Sequence, residues 1–390
     1  MSEGMKRVAI LGSTGAIGRN TLAVVAAHPE AFRVSALAAG ANLPLIEEQV
    51  RAFRPALVSV GGKEDAAALR KRFGRSGPRI VFGPEGAVEI GGDSGSDIVV
   101  SAITGINGLR PTLAAIRAGK RIALANKESM VVAGALLRKE ARAAGVEIVP
   151  VDSEHSGVFQ CLAREKRRNV GKVILTASGG PFLKTPLRAI PGKSVEEALA
   201  HPRWKMGRKV TIDSATMMNK GLELIEARWL FDLAPGSLGI LVHPQSIVHA
   251  LVEMRDGSVL AQLGPTDMKI PIQYALTHPD RLDAPRPPLD LAAAEALEFA
   301  AVDPRRFPLL GLARTVLAAD DDSAAVALNA ANEEAVAAFL AGRFLFGGIA
   351  GVVSAAMAKH RPSGADSLEA IDAIDREARL ATRKIIEQRT

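Results

Sequence analysis

Val8-Ala9-Ile10-Leu11-Gly12-Ser13-Thr14-Gly15-Ala16-Ile17-Gly18 decides the fold, because an apolar strand-like run passes straight into spaced glycines and then into a helix-like segment, Asn20–Ala27. The glycines permit a tight turn, close approach of backbone to a pyrophosphate and close helix–strand packing. The helix start offers unpaired N–H groups and the positive end of its dipole. The spacing is GxxGxxG rather than GxGxxG, so the strand before and the helix after distinguish a phosphate cradle from an ordinary glycine turn.

Outward from this cradle, β-like runs alternate with helical ones. Arg7–Leu11, Arg33–Ala38, Leu57–Val60, Asp97–Ala102, Arg121–Ala123 and Val146–Val151 read as strands, and Asn20–Ala27, Leu43–Phe53, Pro111–Ala118 and Val131–Ala144 as helices. Such alternation implies an α/β, doubly wound (Rossmann-type) parallel sheet over residues 1–151. Residues 152–277 change texture: Lys172–Ala177, Ile240–Val242, Ser246–Met254 and Ser258–Leu263 read as strands and Leu222–Leu230 as a helix, separated by long polar loops. An α+β catalytic domain is expected there, with function carried on the loops. His278–Asp290 holds four prolines and marks a linker over 278–303. Residues 304–390 are Ala-rich, and Ser323–Ala341, Gly348–His360 and Ser367–Gln388 carry apolar residues at helical spacing, as in a small bundle.

Composition narrows the function classes. With 49 Lys+Arg against 42 Asp+Glu, the formal charge of +7 favours anionic partners. The basic residues are dispersed apart from short runs such as Arg164–Arg168, read as a solvated face. Aromatics make up only 4%, which leaves few stacking platforms, so no nucleic-acid partner is expected. No apolar run reaches the roughly 18 residues that span a bilayer, so no membrane helix is expected. The N-terminal stretch lacks a signal-peptide pattern. The single cysteine, Cys161, excludes an intramolecular disulfide and a cysteine-based zinc cluster, which fits a cytoplasmic protein.

Three downstream features carry chemistry. An NAD enzyme usually places an acid at the end of the second strand, about 20 residues past the cradle. Here that strand ends Ala38-Ala39-Gly40-Ala41-Asn42 without one, which points to NADPH, although no Lys or Arg stands there for the 2′-phosphate. Val151-Asp152-Ser153-Glu154-His155 follows an apolar run; in extended backbone Asp152 and Glu154 would point the same way, as hard oxygen ligands suited to Mg²⁺ or Mn²⁺. Asp213-Ser214-Ala215-Thr216-Met217-Met218-Asn219-Lys220-Gly221-Leu222-Glu223 offers Ser, Asn and Lys to a phosphate, with Glu223 either a third metal carboxylate or a helix-start acid. Glu226 reads as a surface pair with Arg228, and Ser178-Gly179-Gly180-Pro181 as a second small-residue loop after a strand. His201 and Trp204, with Lys205 and Met206, form a basic loop that reads either as a lid or as local packing of the indole. His155, His243 and His249 read as structural or supporting residues, and Cys161 lacks the setting of a nucleophile.

Taken together, GSTGAIG at Gly12, LANKES at Leu124, PVDSEH at Pro150, SGGPF at Ser178, HPRWKMGRK at His201, DSATMMNKGLELIEARWLF at Asp213, HPQSIVH at His243, DGSVLAQLG at Asp256 and LNAANEEAVAAFL at Leu328 resemble the 1-deoxy-D-xylulose 5-phosphate reductoisomerase family in order over almost the whole chain. The resemblance implies NADPH- and divalent-metal-dependent isomerisation and reduction of that phosphorylated sugar to 2-C-methyl-D-erythritol 4-phosphate, in non-mevalonate isoprenoid synthesis. It implies Asp152, Glu154 and Glu223 as metal ligands, and Lys127 and Ser153 at the substrate. Ser178, Ser214, Asn219 and Lys220 fall to the phosphate, His201 to the substrate, and Trp204 and Met206 to a flexible lid. Thr14, Gly15, Ala16, Ile17, Gly40, Ala41, Asn42, Asn126, Glu128 and Gly207 would line the NADPH site, and the family implies a homodimer. Two departures stand out: Ala16 replaces a common serine, and Ala41 stands where some members carry Lys. Two alternatives stay open on the residues alone: a semialdehyde or homoserine-type dehydrogenase, and a non-catalytic nucleotide-sensing regulator on the same fold.

Overall fold

Short runs of branched and apolar residues, buried on both faces, build one parallel sheet in the computed structural model, which describes residues 4–204, 206–284, 287–294, 296–319 and 321–389. Lys205, and Pro285, Arg286 and Glu295 of the expected linker, lie outside the described residues. The strands are β1 (Lys6–Leu11), β2 (Phe32–Ala38), β3 (Leu57–Val60), β4 (Arg79–Phe82), β5 (Ile98–Ser101), β6 (Arg121–Leu124) and β7 (Ile148–Pro150), ordered β4-β3-β2-β1-β5-β6-β7. All neighbours pair parallel. Strands β3 and β5 are buried at every position, as expected when helices cover both faces. The order reverses at β1, which has β2 on one side and β5 on the other, and this opens a crevice at the carboxyl ends of the strands.

The connecting helices are α1 (Ala16–Ala27), α2 (Leu43–Phe53), α3 (Lys63–Phe73), α4 (Gly83–Gly91), α5 (Leu109–Arg117), α6 (Lys127–Ala144) and α7 (Ser153–Cys161). Segments α3, β4 and α4 have no counterpart in the sequence reading: β4 is a four-residue edge strand with exposed ends. The extended backbone expected through Asp152–Glu154 is corrected. The chain turns helical at Ser153, placing Glu154 in the first turn, where the helix dipole favours a negative charge.

A second, mixed sheet comprises β8 (Val170–Ala177), β9 (Leu238–Val242), β10 (Val248–Met254) and β11 (Val259–Leu263), ordered β11-β10-β8-β9. Strand β10 runs antiparallel to β8 and β11, whereas β9 runs parallel to β8. The remaining helices are α8 (Val195–Leu199), α9 (Arg208–Thr216), α10 (Met218–Phe231), α11 (Lys269–Thr277), α12 (Pro308–Ala318), α13 (Asp322–Leu340), α14 (Gly347–Lys359) and α15 (Leu368–Glu387). Helix α13 is apolar on nearly all sides and buried along its length, the mark of a central bundle helix; it packs on α9, α12, α14 and α15. Arg379 of α15 reaches Asp375 and, on α13, Glu333 and Glu334 at 2.6–3.2 Å.

By packing, the chain forms two units: residues 1–129, 137–156 and 267–287 make the first, and 130–136, 157–266 and 288–390 the second. Helix α11 belongs to the first unit, resting on α1, β6 and β7. Among the described residues no helix is long and apolar enough to cross a membrane.

Candidate active site

In the first unit the candidate ligand edge is made of strand ends. Gly12 has φ 89°, and the amides of Gly12 and Ser13 both donate to Ala38 O, at 2.9 and 2.8 Å. Gln49 Nε2 holds Ser13 O at 3.0 Å, so the cradle is tied to β2 and α2. A Cβ on Gly12 would lie 2.5 Å from Ala102 O, and one on Gly18 would overlap Gly12 O; these two glycines serve close packing. Gly15 is the N-cap of α1 and brings no side chain to cap it. The first-turn amides, flanked by Thr14, Ala16 and Ile17, therefore suit an anion. Gly40, Ala41 and Asn42 are exposed past β2, and Asn42 Oδ1 accepts from Leu45 N at 3.3 Å, capping α2.

Asn126 braces this edge. Its Oδ1 caps α6 through Ser129 N at 2.9 Å. Its Nδ2 donates to Ile103 O, Gly105 O and the buried Glu128 Oε2 at 2.6, 2.9 and 3.1 Å. The next residue, Lys127, is buried and sets Nζ 3.0 Å from Asp152 Oδ2. Asp152 and Glu154 each present a carboxylate oxygen within 4.8 Å of the other, and Ser153 Oγ donates to Glu154 Oε2. Two close carboxylates favour a cation between them, and an all-oxygen donor set suits Mg²⁺ or Mn²⁺. His155 is wholly buried, with Nδ1 3.8 Å from Asp152 Oδ2.

The second unit gathers the polar cluster at the α9–α10 junction. Met217, at φ 60°, ends α9 and starts α10; this left-handed turn reorients the chain between Ser214 and Asn219. Lys220 Nζ lies 2.6 Å from Glu223 Oε2, and Asn219 Nδ2 donates to Glu223 Oε1. Glu223 is fully buried and stands past the first turn of α10, which removes the helix-start reading. Glu226 is buried rather than a surface acid, and Arg228 lies over the Trp229 ring.

Ser178 follows β8 and holds two partners: His201 Nε2 at 3.1 Å and the amide of Gly180, which donates to its Oγ at 3.2 Å. His201 Nδ1 accepts from Trp204 N at 2.9 Å and Arg203 N at 3.3 Å. Those contacts assign the proton of the neutral ring to Nε2, and burial holds the imidazole below its ordinary pKa of 6.5. The Trp204 ring lies 6.4 Å from that of His249, Met206 is half-buried and Gly207 caps α9 from an exposed position. His243 ties the loop after β9, with Nε2 accepting from Ile247 N and Val248 N at 3.1 Å. The Cys161 thiol is pushed up by burial, the opposite of an activated nucleophile.

Three residues had no role in the sequence reading. Asp213, 1% exposed, pairs with Lys209 Nζ at 2.8 Å and accepts from Asn332 Nδ2 at 2.8 Å. The Lys209–Asp213 spacing of four is legible on a helix; Asn332, 119 positions away, carries no sequence signal.

Family models match the chain over most of its length. "1-deoxy-D-xylulose 5-phosphate reductoisomerase" covers residues 8–134, its C-terminal domain 148–231, and "DXP reductoisomerase C-terminal domain" 263–381. The chain belongs to the 1-deoxy-D-xylulose 5-phosphate reductoisomerase family. Members of that name from Geobacter metallireducens and Prosthecochloris aestuarii are 51% and 50% identical, covering 98% and 96% of this chain and 99% and 98% of theirs. Among solved structures, a DOX-P reductoisomerase in complex with NADPH, fosmidomycin and magnesium superposes with TM-score 0.94 at 41% identity, covering 98% of each chain. The Zymomonas mobilis reductoisomerase in complex with NADPH gives 0.91 at 40%, covering 98% of this chain and 99% of that one.

Proposed function

We propose that this chain isomerises 1-deoxy-D-xylulose 5-phosphate and reduces the resulting aldehyde with NADPH to 2-C-methyl-D-erythritol 4-phosphate. The observation that carries the reading is family membership along nearly the whole chain. The alternative dehydrogenase and regulator readings are not favoured, since the family models and relatives 50–51% identical over nearly the whole chain carry the reductoisomerase name.

In this reading residues 1–151 hold NADPH, 152–277 carry substrate and metal chemistry and the lid, 278–303 link, and 304–390 support them. Thr14, Gly15, Ala16 and Ile17 receive the pyrophosphate on the α1 amides. Gly40, Ala41 and Asn42 meet the adenosine end, and Asn126, Glu128 and Gly207 complete the NADPH site. Asp152, Glu154 and Glu223 would hold Mg²⁺ or Mn²⁺, and their oxygen donors fit such a hard cation. Bound there, the cation would polarise the ketone oxygen and stabilise developing negative charge, while NADPH supplies hydride. Lys127 Nζ, beside Asp152, adds positive charge near the reacting oxygens, and Ser153 orients the substrate.

Ser178, Ser214, Asn219 and Lys220 anchor the phosphate, so that remote binding energy positions the reacting carbons. His201, Trp204 and Met206 would close over the substrate and exclude water. The reading includes a homodimer: β11 is a sheet edge with Val259 and Leu260 exposed, a surface suited to pairing with a second copy, to be checked by sedimentation. The decisive assay is NADPH oxidation with the deoxyxylulose phosphate, run with chelator and then with excess Mg²⁺. Turnover should vanish with chelator and return with Mg²⁺; no turnover with metal present would end the reading.

A further inference from the structure

The Asp213 carboxylate is 1% exposed and Asn332 is fully buried, so their 2.8 Å hydrogen bond is a dry contact between α9 and α13. The Asn332 amide has one permissible orientation here. A carboxylate can only accept, so Nδ2 must face Asp213 and Oδ1 must face away. Lys209 Nζ, at 2.8 Å, takes the other carboxylate oxygen, which neutralises the buried charge within α9. Helix α13 is in turn fixed to α15 by the Arg379 ion pairs to Glu333 and Glu334, on the residues directly after Asn332. The bond therefore ties α9 to a rigid part of the bundle.

What α9 presents at that point is the phosphate cluster. Ser214 is adjacent to Asp213. Thr216 Oγ1 donates to Asp213 O at 3.2 Å and receives Met218 N at 3.3 Å, so the same turn carries the left-handed Met217 and the start of α10. On the other side, a Cβ on Gly180 would lie 2.9 Å from Ser214 O, which leaves no slack between the Ser178 loop and α9. A rotation of α9 by a few degrees would thus separate Ser214 from Ser178 and disturb Asn219 and Lys220. Close-packed elements transmit such shifts rather than absorb them.

We infer that Asn332, acting through Asp213, is a positioning residue for substrate-phosphate recognition: the buried contact holds Ser214 and the α9–α10 turn in register with the Ser178 loop. This rests on the proposed function only in naming the phosphate as substrate-borne. Asn332 touches no ligand in this assignment; its effect passes through α9.

The test compares Asn332→Leu, Asp213→Asn and the exchanged pair Asp213→Asn/Asn332→Asp with the unaltered chain. The readouts are kcat, KM for the deoxyxylulose phosphate, Kd for NADPH and Kd for inorganic phosphate followed by tryptophan fluorescence. Loss of one hydrogen bond to a buried charge predicts that KM and the phosphate Kd rise together, by about tenfold or more, with kcat within about threefold and the NADPH Kd unchanged. The exchanged pair, which restores a donor and an acceptor with their places reversed, should recover part of the phosphate affinity. If a single variant fails to fold, the other single variant and the exchanged pair still report. A lowered Tm with phosphate Kd and KM unchanged would overturn the inference and leave the contact purely structural. If the unaltered chain binds phosphate but shows no turnover, the substrate assignment fails while the phosphate comparison still decides the role of Asn332.

Discussion

The two ligand-facing regions are built by opposite means. In the first unit the cradle uses consecutive residues at strand ends, and its contacts are mostly backbone amides and carbonyls. In the second, the cluster uses side chains, with pairs such as Ser178–His201 and Asp213–Asn332 drawn from positions 23 and 119 residues apart. A backbone site tolerates changes of side chain but not added bulk at its glycines. A side-chain site tolerates neither a lost charge nor a lost partner, because each buried group would be left unsatisfied.

The largest effect should come from the second region. Glu223→Gln is expected to lower turnover by roughly a thousandfold or more while NADPH binding stays nearly intact, as loss of a metal carboxylate would do. Parallel loss of both would make Glu223 a structural residue and erase the contrast. Next, Gly18→Ala should destabilise the first unit by about 1–3 kcal/mol in urea denaturation and weaken NADPH, through overpacking against Gly12 O. Gly15→Ala, whose Cβ would meet Gly12 O at 3.3 Å, should do much less; equal effects would show that the glycines are not specialised.

A smaller, pH-dependent effect belongs to His201. Its folded pKa lies below the ordinary value of 6.5 because burial disfavours the charged ring. The neutral ring's contribution to stability is therefore complete above that value and is lost as pH falls through the depressed folded pKa. Protonation would also turn Nδ1 from acceptor to donor against Trp204 N and Arg203 N. His201→Gln should flatten the decline of Tm between pH 7 and 5, and an unchanged slope would locate that decline elsewhere. Smallest of all, Ala16→Ser should alter the NADPH Kd by less than about twofold, since in the proposed site the amides rather than a hydroxyl would meet the anion; a tenfold gain would place side-chain chemistry in the cradle after all.

This contrast also governs what could be read from the residues alone. Helix α2 was legible to its bounds, because Asn42 and Pro44 mark its start and Phe53 its end. Strand β4 was not, since four residues at a sheet edge carry little pattern. Helix α9 was hidden by Val210, Thr211 and Ile212, which favour strands, and tertiary packing on α12 and α13 overrides them. Asp152 and Glu154 were identified as a pair for the wrong geometric reason, since a helix start and not an extended strand sets them near each other. The Ser178–His201 contact and the role of Asn332 depend on chain reversals that no local pattern encodes.

The course of the chain through the two units has a consequence for how the molecule is made. It passes between them five times, at residues 129/130, 136/137, 156/157, 266/267 and 287/288. A ribosome would release all seven strands of the parallel sheet long before α11, which covers α1, β6 and β7. The nascent sheet therefore waits, with that face exposed, for more than a hundred further residues after β7. Neither unit exists as a continuous stretch that a single cut could excise. Both are thus expected to reach their native form late and together, with the cradle dependent for its completion on sequence far downstream.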